Sequence, residues 1–151
     1  METRSHRHEE PFDVSPEEMF GLLVTPSAIR GWWGASRVIV VRKQGGTWAA
    51  AWGSEDDPDY VSTATLVEYD PPRRLTMKYG KYQAKTGPLP FDFAGDAATT
   101  FTIEPDGEGC RLTVEQTGFP ADPVADEFYA ACETGWKNTF EGIRRYIADN
   151  G

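Results

Sequence analysis

A chain of 151 residues with 39% hydrophobic and 13% aromatic content can bury one core of ordinary size and is too apolar to stay disordered. Its 24 acidic and 15 basic residues leave a net charge of −9, which repels phosphate backbones and argues against a nucleic-acid partner. The basic doublets Arg73/Arg74 and Arg144/Arg145 are too small for a binding stripe, and no run of about 18 apolar residues offers a membrane span.

The charged start "METRSHRHEE" lacks the apolar centre of a signal peptide, so a cytoplasmic protein is expected. The following "SHRHEEPFDV" alternates weakly and suits an edge strand, with Pro11 tolerated near its end. A helix then starts at Ser15, with Pro16 in the first helical position and Glu18 completing a capping box. Met19, Phe20, Leu22 and Leu23 supply its apolar face. "TPSAIRGWW" repeats the start signal and predicts a second short helix ending at Gly31, which leaves Trp32 and Trp33 on a loop.

From there the texture is β. "SRVIVVRK", "TWAAAWG", "YVSTATLVEYD" and "RRLTMKYGKY" read as strands separated by Gly, Asp and Pro turns. "KTGPLPFDFAGD" reads as a loop, and residues 97–119 as a hairpin turning at "PDGEG". Over residues 123–150 the period changes. Phe128, Cys132, Trp136, Phe140, Ile143 and Ile147 form one stripe on a helix of roughly seven turns. Gly135 and Gly142 interrupt it at a cost of ~1 kcal/mol each, either for close approach or to leave room for something else. A single α+β domain over residues 1–151 follows, in which an antiparallel sheet buries one face by wrapping around the long C-terminal helix.

Chemistry-bearing residues are sparse. His6 and His8 share a strand face but lack an evident third metal ligand, and "EDDPD" at 55–59 lacks the spacing of a calcium loop. No nucleophile elbow, dinucleotide fingerprint, phosphate loop or zinc-protease motif occurs. Cys110 and Cys132 are expected as buried, inert thiols, with a disulfide between them the lesser alternative. Strand alternation puts Glu115 in solvent, and puts Glu68 on the Ala64/Leu66 face as a candidate inward carboxylate. No metal, cofactor or catalytic constellation is expected.

Aromatic residues are the stronger signal. Trp32 and Trp33 either plug the end of the sheet or offer one indole to a cavity mouth. Trp48 and Trp52 flank Ala50 on one strand face, a pattern shared by cavity walls and interdigitated cores. Trp136 and Phe128 lie on the helix stripe facing the same interior, and Tyr82, Phe91 and Phe93 fall on a segment suited to a lid. At least one of Trp32 and Trp33 is expected to border the same cavity as Trp48 or Trp52 and Trp136.

The Pro-Glu-Glu-Met-Phe of the first helix, "WW", "GGTW", "VEYDPPRRL", "CRLTVEQTGF" and the "GW" of the last helix occur in order. Together they resemble the START-like superfamily, also called SRPBCC or Bet v 1-like, and within it the AHSA1 branch related to the activator of Hsp90 ATPase. The resemblance implies a helix-grip fold with a hydrophobic cavity between sheet and helix. Relatives bind lipids, hormones or polyketides, and a few catalyse cyclisation. The expected function is therefore binding of an apolar or aromatic small molecule by Trp32, Trp33, Trp48, Trp52, Tyr82, Phe91, Phe93, Phe128 and Trp136. A cyclase/aromatase-like enzyme and an Hsp90-type interaction module are the alternatives. The co-chaperone proper carries a further N-terminal domain, for which these residues have no room.

Overall fold

In a computed structural model the structure describes residues 3–85 and 97–150. Strand β1 (Thr3–Phe12) leads into helices α1 (Pro16–Val24) and α2 (Pro26–Trp33). Strands β2 (Arg37–Val40), β3 (Thr47–Gly53), β4 (Pro58–Asp70), β5 (Arg74–Ala84), β6 (Ala98–Asp106) and β7 (Gly109–Pro120) follow. A 3-10 turn (Pro123–Ala125) then introduces α3 (Asp126–Asn150). The strands form one curved antiparallel sheet in the order β1-β7-β6-β5-β4-β3-β2, with β1 at one edge and β2 at the other. No helix among the described residues is long and apolar enough to cross a membrane.

Local chemistry accounts for the helix boundaries. Ser15 Oγ accepts from Glu18 N at 3.1 Å, satisfying one of the orphan N–H groups at the start of α1. Helix α2 does not stop at Gly31. It runs to Trp33 and closes on Gly34, which takes the left-handed conformation (φ 76°) and donates its N–H to the Arg30 carbonyl at 3.0 Å. Gly31 serves packing instead: a Cβ there would overlap the ring of Tyr146 on α3.

The helix stripe faces the sheet. Trp136, Phe140 and Ile143 are buried, with Phe140 against Phe12 and Trp136 against Phe101. Leu66, Leu75, Met77, Ile103, Leu112 and Val114 complete the floor from the sheet, and Met19, Phe20, Leu23 and Ile29 close one end from α1 and α2. Gly142 allows the approach of α2 to α3, because a Cβ there would overlap the Trp32 carbonyl oxygen. Nothing lies within 4 Å of a Cβ built at Gly135.

Two register slips in the β4–β5 ladder alter the faces of those strands. One, between Leu66 and Glu68, overturns the expectation of an inward Glu68. The bulge advances the side-chain phase by one residue, so Tyr69 rather than Glu68 returns to the core and packs on Phe20 at 5.4 Å. Glu68 points outward, where it accepts from Arg74 Nε at 2.7 Å and Thr76 Oγ1 at 3.0 Å. Glu115 is exposed, as the alternation predicts.

Candidate ligand cavity

Between the first half of α3 and the sheet lies a cavity of about 190 Å³. Its walls come from α2, from β3, β4 and β5, from β6 and β7, and from α3, and they differ in character.

The first wall is aromatic. Because α2 extends through both tryptophans, Trp32 and Trp33 are consecutive helical positions about 100° apart rather than loop residues. Trp32 turns inward, 6% exposed, and its Nε1 donates to the Leu22 carbonyl at 2.8 Å, occupying an acceptor in the last turn of α1. Trp33 stacks on Trp32 with centroids 5.0 Å apart and turns its other side to the cavity. It meets Trp48 at 5.8 Å, Trp136 at 6.1 Å and Trp52 edge-on at 5.6 Å. Trp52 Nε1 donates to the Trp33 carbonyl at 3.3 Å, and its ring stacks on Tyr60 at 5.2 Å. Offset and edge-to-face contacts of this kind each add ~0.5–1.5 kcal/mol beyond area burial, so the rings hold one another in place.

The second wall is formed by α3 and the end of β7. Phe128 and Cys132 project from the helix, with Phe119 against Phe128 at 6.1 Å. Burial pushes the Cys132 thiol up to about 11 and, together with the nearby Asp106 charge, the Cys110 thiol to about 11. Both are free, protonated thiols at neutral pH.

The third wall is polar in part, and Ser62 and Thr117 also line the space. Tyr79 and Gln116 line the cavity, and Thr99 lies fully buried behind them. Gln116 Nε2 donates to Thr99 Oγ1 at 2.9 Å, and Thr99 Oγ1 shares a 2.7 Å hydrogen bond with the Tyr79 hydroxyl. Burial raises the Tyr79 pKa above its ordinary value, partly opposed by these hydrogen bonds. None of the described lining residues is an Asp, Glu, Lys, Arg or His.

Trp33, Trp48, Trp52 and Phe128 thus meet around one space, which Trp33 brings to the Trp pair, while the expectation that Trp136 shares it is not met. Trp32 and Trp136 do not line it. They are buried behind Trp33 and support its ring. Tyr82 belongs to β5, opposite Ser62, rather than to a loop, because pairing with β4 carries the strand to Ala84. Phe91 and Phe93 lie outside the described residues. Sequence reasoning missed Tyr60, Tyr79, Gln116 and Phe119. Alternation offers a signal for two of them, since Tyr79 continues the Leu75/Met77 face and Gln116 continues the Leu112/Val114 face.

His6 and His8 lie side by side on β1. Their rings contact one another, His6 Nδ1 to His8 Nε2 at 2.8 Å, so each occupies a nitrogen of the other. Among the described residues no group of three His, Cys, Asp or Glu is disposed to hold a metal ion.

A curved antiparallel sheet gripping a long C-terminal helix, with two short helices after the first strand, is the helix-grip architecture of START-like proteins. The family described as Activator of Hsp90 ATPase homolog 1-like protein (AHSA1) matches residues 13–148, and the chain belongs to it. Among solved structures, protein MLL2253 from Mesorhizobium loti superposes with a TM-score of 0.76 at 21% identity, over 98% of this chain and 99% of its own. The Aha1 dimer from Colwellia psychrerythraea gives 0.71 at 13% identity, covering 93% of each chain. CalU16 from Micromonospora echinospora gives 0.67 at 16% identity, over 96% of this chain and 76% of its own. These likenesses establish a shared fold. No curated protein sequence matches the chain.

Proposed function

We propose that this protein binds a small apolar or aromatic molecule in the cavity between α3 and the sheet. The observation that carries the reading is the wall itself: Trp33, Trp48, Trp52, Phe119 and Phe128 converge on about 190 Å³, and no charged residue stands among the described lining. An apolar cavity of ~150 Å³ already accepts benzene, so this space suits one or two fused rings. Desolvating such a ligand against aromatic faces supplies ~25 cal/mol per Å² of apolar area buried.

Binding is favoured over catalysis by the titratable groups on the wall. A general acid or base works best with a pKa near the operating pH, whereas burial moves both Tyr79 and Cys132 away from neutrality. The test is calorimetric titration with 2-methylnaphthalene, followed by native mass spectrometry of the complex. Saturable binding at one molecule per chain, weakened about tenfold or more by Trp33→Ala, is the expected result. Absence of saturable binding, or binding that Trp33→Ala leaves unchanged, overturns the reading.

A further inference from the structure

The polar wall of the cavity holds an unfinished hydrogen-bond network. Gln116 is 7% exposed, and its amide N–H₂ is engaged with Thr99 while its carbonyl oxygen Oε1 is buried with no partner. Thr99 Oγ1 accepts from Gln116 and shares a further hydrogen bond with the Tyr79 oxygen, in which either hydroxyl can be the donor. With Thr99 as that donor, the Tyr79 hydroxyl proton is available to a ligand. Gln116 and Tyr79 both line the cavity, whose wall is otherwise aromatic, aliphatic or small at most positions. A buried amide oxygen without a partner is costly, and native structures retain one where something else completes it.

We propose that the ligand is an uncharged ring compound bearing one hydroxyl group, which donates to Gln116 Oε1 and accepts from the Tyr79 hydroxyl while its rings lie against Trp33 and Trp52. This rests on the binding reading above and names its ligand class. The head group follows by elimination. A ketone or ether oxygen only accepts, and leaves Gln116 Oε1 bare. A carboxylate or an ammonium brings a charge into a site whose described lining offers no counter-charge. A hydroxyl does both jobs through one atom, and so suits an acceptor and a donor that lie close together.

The experiment compares 2-naphthol, 2-methylnaphthalene and 2-naphthoate by calorimetry at pH 7, on the parent, Gln116→Leu and Tyr79→Phe. Naphthol and methylnaphthalene differ only in replacing the hydroxyl by a methyl group of similar size. On the parent, 2-naphthol is expected to bind about tenfold tighter than 2-methylnaphthalene, the scale of a completed buried hydrogen bond. 2-Naphthoate is expected to bind more weakly than either. Gln116→Leu should bring the ratio of naphthol to methylnaphthalene affinity close to unity. Tyr79→Phe removes a single oxygen and should lower the same ratio, which keeps the test valid if Gln116→Leu reduces the folded fraction. Equal binding of naphthol and methylnaphthalene to the parent overturns the proposal and leaves the cavity reading intact, as would follow if an ordered water satisfied Gln116. A preference that survives both substitutions overturns it too. Failure of all three compounds to bind removes the cavity reading and this inference with it.

Discussion

The paired tryptophans allow a test in which neighbouring residues of one type are expected to behave differently. Trp32 is 6% exposed and gives its indole N–H to the Leu22 carbonyl, so Trp32→Ala removes a core side chain and strands an acceptor at the end of α1. Large-to-small changes of this kind cost about 3–5 kcal/mol, and the orphaned carbonyl places Trp32→Ala towards the upper end. Trp33 is only partly buried, and one side of its ring already faces open volume. Its truncation enlarges an existing cavity, and the Trp52 indole keeps its backbone acceptor at residue 33. The cost is therefore limited to lost ring contacts and partial burial, about 1–2.5 kcal/mol. Urea unfolding at fixed pH reads both values from the midpoint, provided the slope is unchanged. Ligand affinity should follow the reverse order, with Trp33→Ala weakening 2-methylnaphthalene by about tenfold or more and Trp32→Phe, which keeps a ring behind Trp33, weakening it far less. Equal destabilisation by Trp32→Ala and Trp33→Ala, with unchanged binding in the latter, would make Trp33 an ordinary core residue and refute the reasoning.

Three further tests address other parts of the molecule. His6 and His8 have pKa values lowered from 6.5, chiefly by burial. For His6 the neighbouring His8 adds to the shift and Glu133 opposes it; for His8, Glu133 and Glu10 oppose and Lys137 adds. The unfolded chain then binds more protons below about pH 6.5, so this contribution is complete above that pH and is lost as pH falls towards the lowered native values. Thermal melts should show a slope between about pH 6.5 and 5 that flattens in a His6→Asn/His8→Gln double variant; an unchanged slope contradicts the assignment. The thiols of Cys110 and Cys132, both pushed up to about 11, should react slowly with iodoacetamide at pH 8 in the native protein and rapidly in urea. Finally, Gly135→Ala should stabilise α3 by about 0.5–1 kcal/mol because its Cβ meets nothing, whereas Gly142→Ala should destabilise because its Cβ overlaps the Trp32 carbonyl. Equal signs in the two variants would show that the α2–α3 approach is not set by Gly142.

The fold was legible in the sequence wherever a physical signal was local. The Ser15-Pro16 start, the Gly107 turn between β6 and β7, and the 3.6-residue stripe of α3 each rest on a few neighbouring residues, and each element forms where the signal lies. The misplacements have equally specific causes. Gly31 and Gly34 are both plausible helix stops by composition. The choice depends on which glycine takes positive φ, and Gly31 is needed small for Tyr146, more than a hundred residues away in the chain. Glu68 was misread because a bulge shifts the phase of β4, and a bulge depends on the partner strand rather than on the strand's own alternation. The aromatic wall was legible as a set of candidates, but the division between lining and supporting rings was not. Trp32 and Trp33 differ only by a helical rotation, and that rotation follows from the stop at Gly34.

The polar wall belongs to a different category, because its residues obey the alternation rule while breaking its usual chemistry. Met77 pairs with Thr99, and Thr99 pairs with Gln116, so one cross-sheet row passes from an apolar residue to two polar ones between neighbouring strands. Along each strand the adjacent inward positions are apolar: Met77 beside Tyr79, Phe101 beside Thr99, Val114 beside Gln116. A core that only had to be filled would gain by continuing those apolar rows, since isosteric apolar replacement of a buried polar group is often neutral or stabilising. The three polar groups instead sit together beside the cavity and hydrogen-bond one another, while Gln116 Oε1 keeps no partner. The indoles of Trp33 and Trp52, held by α2 and β3, line the same space. The lining is therefore uneven, with Tyr79 and Gln116 contributed by β5 and β7 and the indoles by α2 and β3. Reversing a hydroxylated ring would place its oxygen against indole faces and its rings against Gln116, losing both kinds of contact at once. That asymmetry, more than the volume enclosed, is what would let this fold select one orientation of a small molecule.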